Sequence, residues 1–422
     1  MEVERFVQDL GADAETALTT LLNIDYSERR IDGPTWESAL TLVQQAVARR
    51  PDLGQRLWDA IESRSTLAEK KDDLQDAIIG GWEQADLGEL LDDAIGLVAG
   101  RAGDQRSIRA IARLLVTQIE KHLDTPESEP IASMRNLART IWDRHKGTFE
   151  SPSESESSFL ALNSWPGDLT RYWILEVNRR WRELGEAWTG LNNLERDTLE
   201  AMLAGPAAEL DAIRPALGGQ AHFLFAADPA FAQQHILTLF EGPHAAQAWE
   251  AYLYNPRYND RMLSAGFLQS VIAEWEHLGD LGKRGLQSQF YGLVGSIVSV
   301  AGITPEQRQE LLDQSVLADN GDHAADFART VLRFFQDDTV DSAALWKLWA
   351  RDHLAARLQG LPRNARHEEL ERWADIAPFV GEHADEAFSM LSGLGIALGD
   401  GYHAPEWPTD LLATKGPPLS PT

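Results

Sequence analysis

Three aspartates in the stretch DDTVD have the spacing that is best suited to chemistry. Asp337, Asp338 and Asp341 follow the Asp-Asp-x-x-Asp pattern with which some all-α enzymes hold magnesium and diphosphate. Magnesium prefers carboxylate and phosphate oxygens, which such spacing can aim from one helix. The motif lies between VLRFFQ and SAALWKLW, however, which indicates a turn between two helices with Asp341 as the N-cap of the second. No second carboxylate motif of this kind follows, so a turn is the preferred interpretation.

A second acidic cluster contains a histidine. Glu382, His383, Asp385 and Glu386 lie together in GEHADEAF, over one or two helical turns. Acidic residues stabilise the N-terminus of a helix, so this stretch is predicted to start one. A metal site would need further ligands from another helix.

Other catalytic and cofactor-binding patterns are missing from the sequence. GDLGKRG has neither the spacing nor the Ser or Thr of a phosphate-binding loop, and there is no His-Glu-x-x-His, Gly-x-Ser-x-Gly or dinucleotide fingerprint. The chain has no cysteine, which excludes disulfides, thiolate zinc sites, iron–sulfur clusters and cysteine nucleophiles. We therefore predict no catalytic residue, no cofactor and no metal ligand, in a protein that is not an enzyme.

Arginines and aromatic residues are densest in RYWILEVNRRWRELGEAW, residues 171–188. Arginine on aromatic faces suits recognition of phosphate, carboxylate or peptide groups, although such a helix also forms when tryptophans face a core and arginines meet carboxylates. The loop LYNPRYND, residues 253–260, is predicted to be exposed, as recognition loops often are, although it also serves as a plain connection. The candidate partner-binding residues in these segments are Arg171, Arg179, Arg180, Arg182, Tyr254, Arg257 and Tyr258.

A third candidate segment is the tryptophan-rich helix in ALWKLWARDHLAARLQGLP. Projected at about 100° per residue, its polar side chains scatter around the axis, which predicts an inner helix contacted on several sides. Buried polar residues need partners, so we expect Asp352 to pair with an arginine and His353 to stack on Trp346 or Trp349. A satisfied structural network is the preferred interpretation and a ligand-sensing pocket the alternative. The candidate partner-binding residues here are Trp346, Trp349, His353 and Arg357.

Helical periodicity extends along almost the entire chain. Trp36, Leu40, Val43 and Val47 form one apolar stripe, and TPEQRQELL begins with a Thr-x-x-Gln capping box. No alternating strand flanked by hairpin turns is found. The fold is therefore predicted to be all-α.

The spacing of the helices indicates a repeat architecture. Helices of about 12–20 residues are joined by connections of about 2–8, which is typical of antiparallel neighbours. Trp36, Trp58 and Trp82 recur at spacings of 22 and 24 residues, close to one helix plus a turn. We predict a degenerate helical-repeat array of antiparallel helices, similar to an α-solenoid, with a compact globin-like bundle as the alternative.

Two stretches are predicted to be linkers, DTPESEP at 124–130 and the acidic serine tract ESPSESESS at 150–158. The second is the predicted domain boundary. The expected organisation is an N-terminal helical-repeat region at 1–149, the linker at 150–158, a middle helical region at 159–300, a C-terminal helical region at 301–400 and an irregular tail at 401–422.

Charge and hydropathy restrict the partners. The chain has 38 basic and 66 acidic residues, a net charge of −28, which repels phosphate backbones and anionic lipid and disfavours nucleic acid as the main ligand. The N-terminus lacks a signal-peptide layout, and the longest apolar run, Phe290 to Ile303, is too short for a membrane span. We expect a cytoplasmic protein without membrane contact, whose 14 tryptophans supply large rings for cores and interfaces.

The C-terminal helices carry tryptophans, a glycine–proline stop and an acidic pair in a distinctive order. These residues are Trp346, Trp349, Arg357, Gly360, Pro362, Glu368, Glu369 and Trp373. Over 341–395 this order resembles a helical domain of unknown function from large bacterial antiphage defence proteins. The resemblance is weaker over 245–263 and generic across the first 150 residues. In that family an N-terminal effector, often sirtuin-like and NAD-consuming, precedes the helical region, for which no catalytic residues are established.

The resemblance implies a non-enzymatic protein-interaction module, the sensor or assembly platform of a bacterial antiphage defence system. The effector is absent from this sequence, so it is expected on a separate chain or in a larger protein of which this is a fragment. The expected partner is a protein, either an effector subunit or a phage protein. The alternatives are an all-α magnesium-dependent enzyme that uses the DDTVD carboxylates and a purely structural helical-repeat adaptor.

Overall fold

The computed structural model describes residues 3–24, 26, 35–64, 70–151, 157–318 and 323–392, and within these ranges the chain forms helices and no strand. The prediction of an all-α fold is confirmed. The α-helices are α1 Val3–Ala12, α2 Ala14–Leu22, α3 Trp36–Arg49, α4 Asp52–Glu62, α5 Lys71–Gln84, α6 Leu91–Ala99, α7 Ile108–Lys121, α8 Glu129–His145, α9 Ser157–Asn163, α10 Trp165–Leu184, α11 Asn193–Leu203, α12 Ala207–Gly218, α13 Ala221–Ala227, α14 Pro229–Phe231, α15 Ala245–Leu253, α16 Asp260–Met262, α17 Leu268–Glu274, α18 Leu278–Lys283, α19 Gln287–Val300, α20 Pro305–Leu317, α21 Ala324–Gln336, α22 Ser342–Leu345, α23 Arg351–Leu358, α24 His367–Ile376 and α25 Ala384–Leu391. Short 3₁₀ turns lie at Gly88–Leu90, Gly185–Ala187, Leu237–Phe240, Trp275–His277, Ala377–Phe379 and Gly381–His383.

The chain divides into two compact units, residues 1–217 and 218–420. In the first unit α1, α3, α5, α7 and α10 pack side by side in that order, while α2 packs on α4 and α6 on α8. In the second unit α19, α21 and α24 form a similar row. Helices that contact a near neighbour along the chain in this way form stacked helical hairpins, as the predicted repeat array requires.

Small residues allow the helices of the first unit to approach closely. A side chain at Gly81 would lie 2.6 Å from Cβ of Val47, so α5 fits against α3 only because this position has none. Gly54 likewise makes room for the indole of Trp82, which stacks on Trp58 with ring centroids 5.8 Å apart. Of the tryptophans whose spacing indicated a repeat, Trp58 and Trp82 lie in one core, whereas Trp36, at the start of α3, is only partly buried.

Aromatic rings fill the core of the second unit. Trp249 contacts Phe240, Tyr252, Phe267 and Phe290 at centroid distances of 4.9–5.9 Å. From Phe290 the cluster continues through Trp275 to Tyr291 and Phe327. Edge-to-face ring contacts stabilise a core beyond their buried area. The first 60 or so residues of the unit are therefore joined to α19 and α21 by ring contacts.

Hydrogen-bonding side chains begin several helices as the sequence indicates. Thr304 and Gln307 form the predicted capping box on α20, and the Asp341 carboxylate accepts a hydrogen bond from the Ala344 amide as the predicted N-cap of α22. Pro51 is the N-cap of α4, with no side-chain hydrogen bond to its first turn. Gly360 has a φ of +78°, the left-handed conformation expected of the residue that ends α23.

Three turns of π-helix interrupt helices in the described part of the second unit. They are Ala232–Ile236, Leu263–Phe267 and Trp346–Ala350. Each follows closely on an N-cap whose side chain accepts from a backbone amide, namely Asp228, Asn259 or Asp341. A π turn inserts one residue into an α-helix and shifts the face that later residues occupy.

The π turn at Trp346–Ala350 changes the interpretation of the tryptophan-rich helix. Its buried residues recur in pairs every four positions, at 345–346, 349–350 and 353–354, followed by Arg357. Leu348, Arg351 and Asp352 are exposed. The prediction of an inner helix contacted on several sides is therefore wrong, because an ideal α-helical projection takes no account of the extra residue. The segment is a surface helix with one buried face.

The predicted linkers fall inside the first unit. The first five residues of DTPESEP connect α7 to α8 and the last two begin α8, and its Glu127 binds two arginines. Most of the tract at 150–158 and all of the predicted tail at 401–422 lie outside the described residues. Helix α8, before the tract, packs on α10, the second helix after it. None of the described helices has the length and hydropathy of a membrane span.

Candidate functional site

The four candidate arginines of α10 lie in different environments. Arg179 is fully buried, and its guanidinium donates to Glu176, Glu183, Glu127 and the Thr125 carbonyl. All five of its N–H groups are used in these bonds. Arg179 therefore holds α10 to the connection before α8 and has no donor left for a partner.

The last turn of α10 presents aromatic surface instead. The rings of Trp181 and Trp188 stack with centroids 5.8 Å apart and planes 19° from parallel. Both side chains are partly exposed, and Leu184 beside them is 39% exposed. Arg180 lies over the Trp188 ring at 5.3 Å and forms an ion pair with Glu195. Burial raises the pKa of Glu195 although Arg180 opposes this shift. We call Arg180, Trp181, Leu184 and Trp188 the indole patch.

The other two arginines lie at opposite ends of α10. Arg182, near its C-terminus, is about half exposed and pairs with Asp124 at 2.9 Å. Arg171, in its second turn, has a 39% exposed side chain 4.0 Å from the carboxylate of Asp168. The structure thus separates residues that a single basic segment seemed to unite: one arginine is internal and three reach the surface.

The candidate loop between α15 and α16 is partly exposed. Tyr254 is 64% exposed and Arg257 is also at the surface. Tyr258, in contrast, is buried, and its hydroxyl lies 2.8 Å from the Ser296 hydroxyl of α19. Burial raises the pKa of Tyr258 well above its usual value. Tyr258 therefore anchors a loop from which Tyr254 and Arg257 project.

The candidate residues around α23 lie on its buried face. The Trp346 indole donates to Glu386 at 3.0 Å, while neighbouring Lys347 reaches Glu382 at 3.1 Å. Trp349 is 3% exposed, and its indole N–H has no hydrogen-bond partner among the described residues. Two acidic residues of GEHADEAF therefore bind the tryptophan-rich helix and, as predicted, this stretch begins a helix, α25.

Arg357 forms a buried ion pair with Glu369 of α24. Its Nε and Nη2 donate to the two carboxylate oxygens at 2.6 and 2.8 Å. Its Nη1 donates to the carbonyls of Leu361 and Arg363, both at 2.6 Å. Bidentate geometry of this kind fixes orientation as well as distance. Arg357 thus joins α23, the following loop and α24.

His353 lies between two indole rings. Its ring centroid is 5.3 Å from that of Trp373 and 6.3 Å from that of Trp349, and both ring pairs are tilted, so His353 contacts Trp349 without the predicted stacking. The side chain is 2% exposed, and its Nδ1 has no partner among the described residues. Burial, assisted by the charge of Arg357, lowers the pKa of His353 to about 3, so the imidazole is neutral at neutral pH. Asp352 pairs with Arg351 at the surface.

Replacing His353 by phenylalanine is expected to reduce the sensitivity of the fold to acid. The folded-state pKa of His353 lies below its ordinary value of 6.5, so its stabilising effect is complete above about pH 6.5 and is lost as the pH falls towards 3. Phenylalanine keeps the ring contacts and cannot be protonated. Urea unfolding at about pH 7.5 and 4.5 should show that His353→Phe loses on the order of 2 kcal/mol less than the wild type between these values. Equal losses in both proteins would contradict the assignment.

The acidic motifs do not converge on a metal site in the part of the chain that the structure describes. No group of three or more potential ligands occurs there. Asp337 accepts from the amide and hydroxyl of Thr339, and Asp341 caps α22, so both act within the turn. The predicted turn with a cap is confirmed.

Comparisons with protein family models, curated proteins and solved structures give no match to this chain. The choice among the candidate sites therefore depends on the geometry of the structure alone. Of the surface groups, the indole patch combines the largest apolar rings with an arginine. Trp181 and Trp188 were not among the residues predicted from the sequence, because a tryptophan that faces a core and one at the surface have the same helical spacing. The sequence feature that could have indicated this surface is Leu184, an apolar residue four positions before Trp188.

Proposed function

We propose that the chain is a non-enzymatic protein-interaction module that serves as the sensor or assembly platform of a cytoplasmic bacterial antiphage defence system. It would act together with an effector, and its direct partner would be an effector subunit or a phage protein. The indole patch supports this proposal most strongly. Partly exposed tryptophan with adjacent arginine is characteristic of the residues that dominate binding energy at protein interfaces.

The packing of the first unit also favours an interaction role. Helical-repeat arrays offer extended surfaces on which adjacent helices contribute side chains to one partner. Here the stacked pair of Trp181 and Trp188 lies where α10 ends and the chain turns towards α11. Two rings that hold each other in place lose little conformational freedom when a partner binds, which favours affinity. The resemblance of residues 341–395 to antiphage defence proteins supplies the biological setting of the proposal.

The proposal is tested by disrupting the indole patch in cells. The chain is expressed with its neighbouring genes, and efficiency of plating by phage and co-purifying proteins are measured for the wild type and for Trp188→Ala. We expect Trp188→Ala to lose protection and a specific co-purifying protein, because stacking and contact area are both removed. Circular dichroism and thermal unfolding establish that the variant is folded.

A matched control replaces an exposed apolar side chain elsewhere. Phe388, on α25, is 40% exposed, and Phe388→Ala should keep both protection and co-purification. If Trp188→Ala also retains both, the indole patch is not the interface and the proposal loses its main support. A protein that co-purifies in all variants without any protection against phage would favour a structural adaptor.

A further inference from the structure

An exposed group of arginines lies where α7 packs against α10. Arg109 and Arg113 extend from α7 and Arg171 from α10. Arg109 and Arg113 are four residues apart on one face of α7, which packs against α10, where Arg171 lies 4.0 Å from the buried carboxyl of Asp168. We call Arg109, Arg113 and Arg171 the arginine cluster. It is a local concentration of positive charge on a chain whose net charge is −28.

Carboxylates only partly neutralise the arginine cluster. Arg113 is 49% exposed and pairs with Glu83 of α5 at 2.9 Å. Arg171 lies 4.0 Å from Asp168, at the limit of an ion pair. The side chain of Arg109 is exposed and forms no hydrogen bond or ion pair within the described ranges. Three guanidinium groups therefore face two carboxyl groups, which leaves donors directed towards solvent.

Asp168 is the internal member of this arrangement. Its side chain is 2% exposed, and its Oδ2 atom has no hydrogen-bond partner among the described residues. Burial, the largest effect, raises the pKa of Asp168 to about 7; the nearby arginines oppose the shift and Glu83 adds to it. Helix α9, which also packs on α10, has no titratable side chain. The net charge of the arginine cluster and its neighbouring carboxylates thus depends on whether Asp168 is protonated.

We propose that the arginine cluster binds a short carboxylate-rich segment of a protein partner. This inference rests on the proposed interaction function and identifies the chemistry of the partner. Guanidinium groups donate in a fork that matches a carboxylate. The cluster covers only part of two helices, which suits a few carboxylates, whereas a nucleic acid would extend over the acidic surface around it and be repelled.

Binding of such a segment is expected to strengthen as the pH falls through about 7. When Asp168 is ionised, the three arginines and the two carboxylates Glu83 and Asp168 have a net charge of +1. When Asp168 is protonated the net charge is +2, so an incoming anion is held more strongly. Asp168→Asn mimics the protonated form at every pH. That variant should bind as the wild type does at low pH and should lose the pH dependence.

The experiment measures binding of a fluorescent hexaglutamate peptide to the full chain by anisotropy at about pH 6 and 8. We expect the wild type to bind several-fold more tightly at the lower pH, Arg109→Ala with Arg171→Ala to weaken binding at least about tenfold, and Asp168→Asn to bind equally at both values. The matched control is Arg139→Ala on α8, which is similarly exposed, at 57%, and should bind as the wild type does.

Three results would overturn the inference: no peptide binding by the wild type, unchanged binding by the double variant, or equal competition by inorganic phosphate or single-stranded DNA, which would indicate a general anion surface. Circular dichroism of each variant separates lost binding from lost folding. The outcome is distinct from that of the proposed function. A double variant that keeps its co-purifying partner and phage protection removes the carboxylate inference alone, whereas loss of partner in Trp188→Ala concerns the indole patch.

Discussion

Replacement of Arg357 by alanine is expected to destabilise the C-terminal helices by about 3–5 kcal/mol. The side chains of Arg357 and Glu369 are 1% and 4% exposed, so the substitution leaves a carboxylate buried without its counter-charge. The carbonyls of Leu361 and Arg363 also lose their donor. Urea unfolding of the full chain, followed by circular dichroism, measures the change.

Two further variants make this expectation specific. Arg351→Ala removes an arginine of the same helix whose ion pair with Asp352 is exposed, and it should cost less than about 1 kcal/mol. Replacing Arg357 by methionine together with Glu369 by leucine removes both charges and should recover most of the stability, because a buried pair contributes little relative to apolar side chains of similar size. Arg357→Ala unfolding at the same urea concentration as the wild type would show that the ion pair is not buried in solution.

Replacement of Trp249 by alanine should also cost about 3–5 kcal/mol, through a cavity at the centre of the second unit. Trp249 is fully buried and contacts Phe240, Tyr252, Phe267 and Phe290, so its removal takes a ring contact from each of them. Thermal and urea unfolding of the full chain provide the measurement.

The phenylalanine variant separates ring packing from hydrogen bonding at this position. The indole N–H of Trp249 has no hydrogen-bond partner among the described residues, so Trp249→Phe should retain more than half of the stability that alanine loses. If phenylalanine is as harmful as alanine, the indole N–H makes a bond that the structure does not contain. Trp249→Ala within about 1 kcal/mol of the wild type would mean that this core is loosely packed.

Local signals in the sequence predicted local structure well. The Asp341 N-cap and the Thr304–Gln307 capping box depend on side chains within three residues of the amides they bind, so neighbouring sequence is sufficient. The left-handed Gly360 is similar, since a helix that ends before Leu-Pro needs a residue that tolerates positive φ. All-α architecture followed from apolar periodicity, which depends only on one helix at a time.

Features that depend on a second helix were less accessible. The π turn at Trp346–Ala350 inserts a residue without any proline or glycine to mark it, and it moved Leu348 to the surface. In the sequence, the residues that prove to be buried recur every four positions. Over so short a window this recurrence cannot be told from the apolar stripe of an ordinary α-helix. Arg179 was selected as a surface group although it is internal, because Glu127, one of its partners, is 52 residues away along the chain.

For the candidate binding surfaces too, the sequence predicted the residues within one helix but not those that a second helix contributes. Sequence reasoning selected Arg171 and Arg180 from a dense basic segment, but Arg109 and Arg113 belong to α7, more than 50 residues earlier, and meet Arg171 only through helix packing. Asp168 has no distinguishing neighbour in sequence. Its unusual pKa arises from burial, a property of the folded unit.

The side-by-side order of α1, α3, α5, α7 and α10 also has an evolutionary consequence. Each of these helices packs against the helices just before and after it in the row. A hairpin gained or lost by recombination would therefore disturb only the two junctions at which it was inserted or removed. Lineages of such chains are then free to drift in length while their remaining junctions stay intact. Relatives of this protein are accordingly expected to differ more in their number of hairpins than in the small residues, such as Gly54 and Gly81, that let adjacent hairpins close on each other.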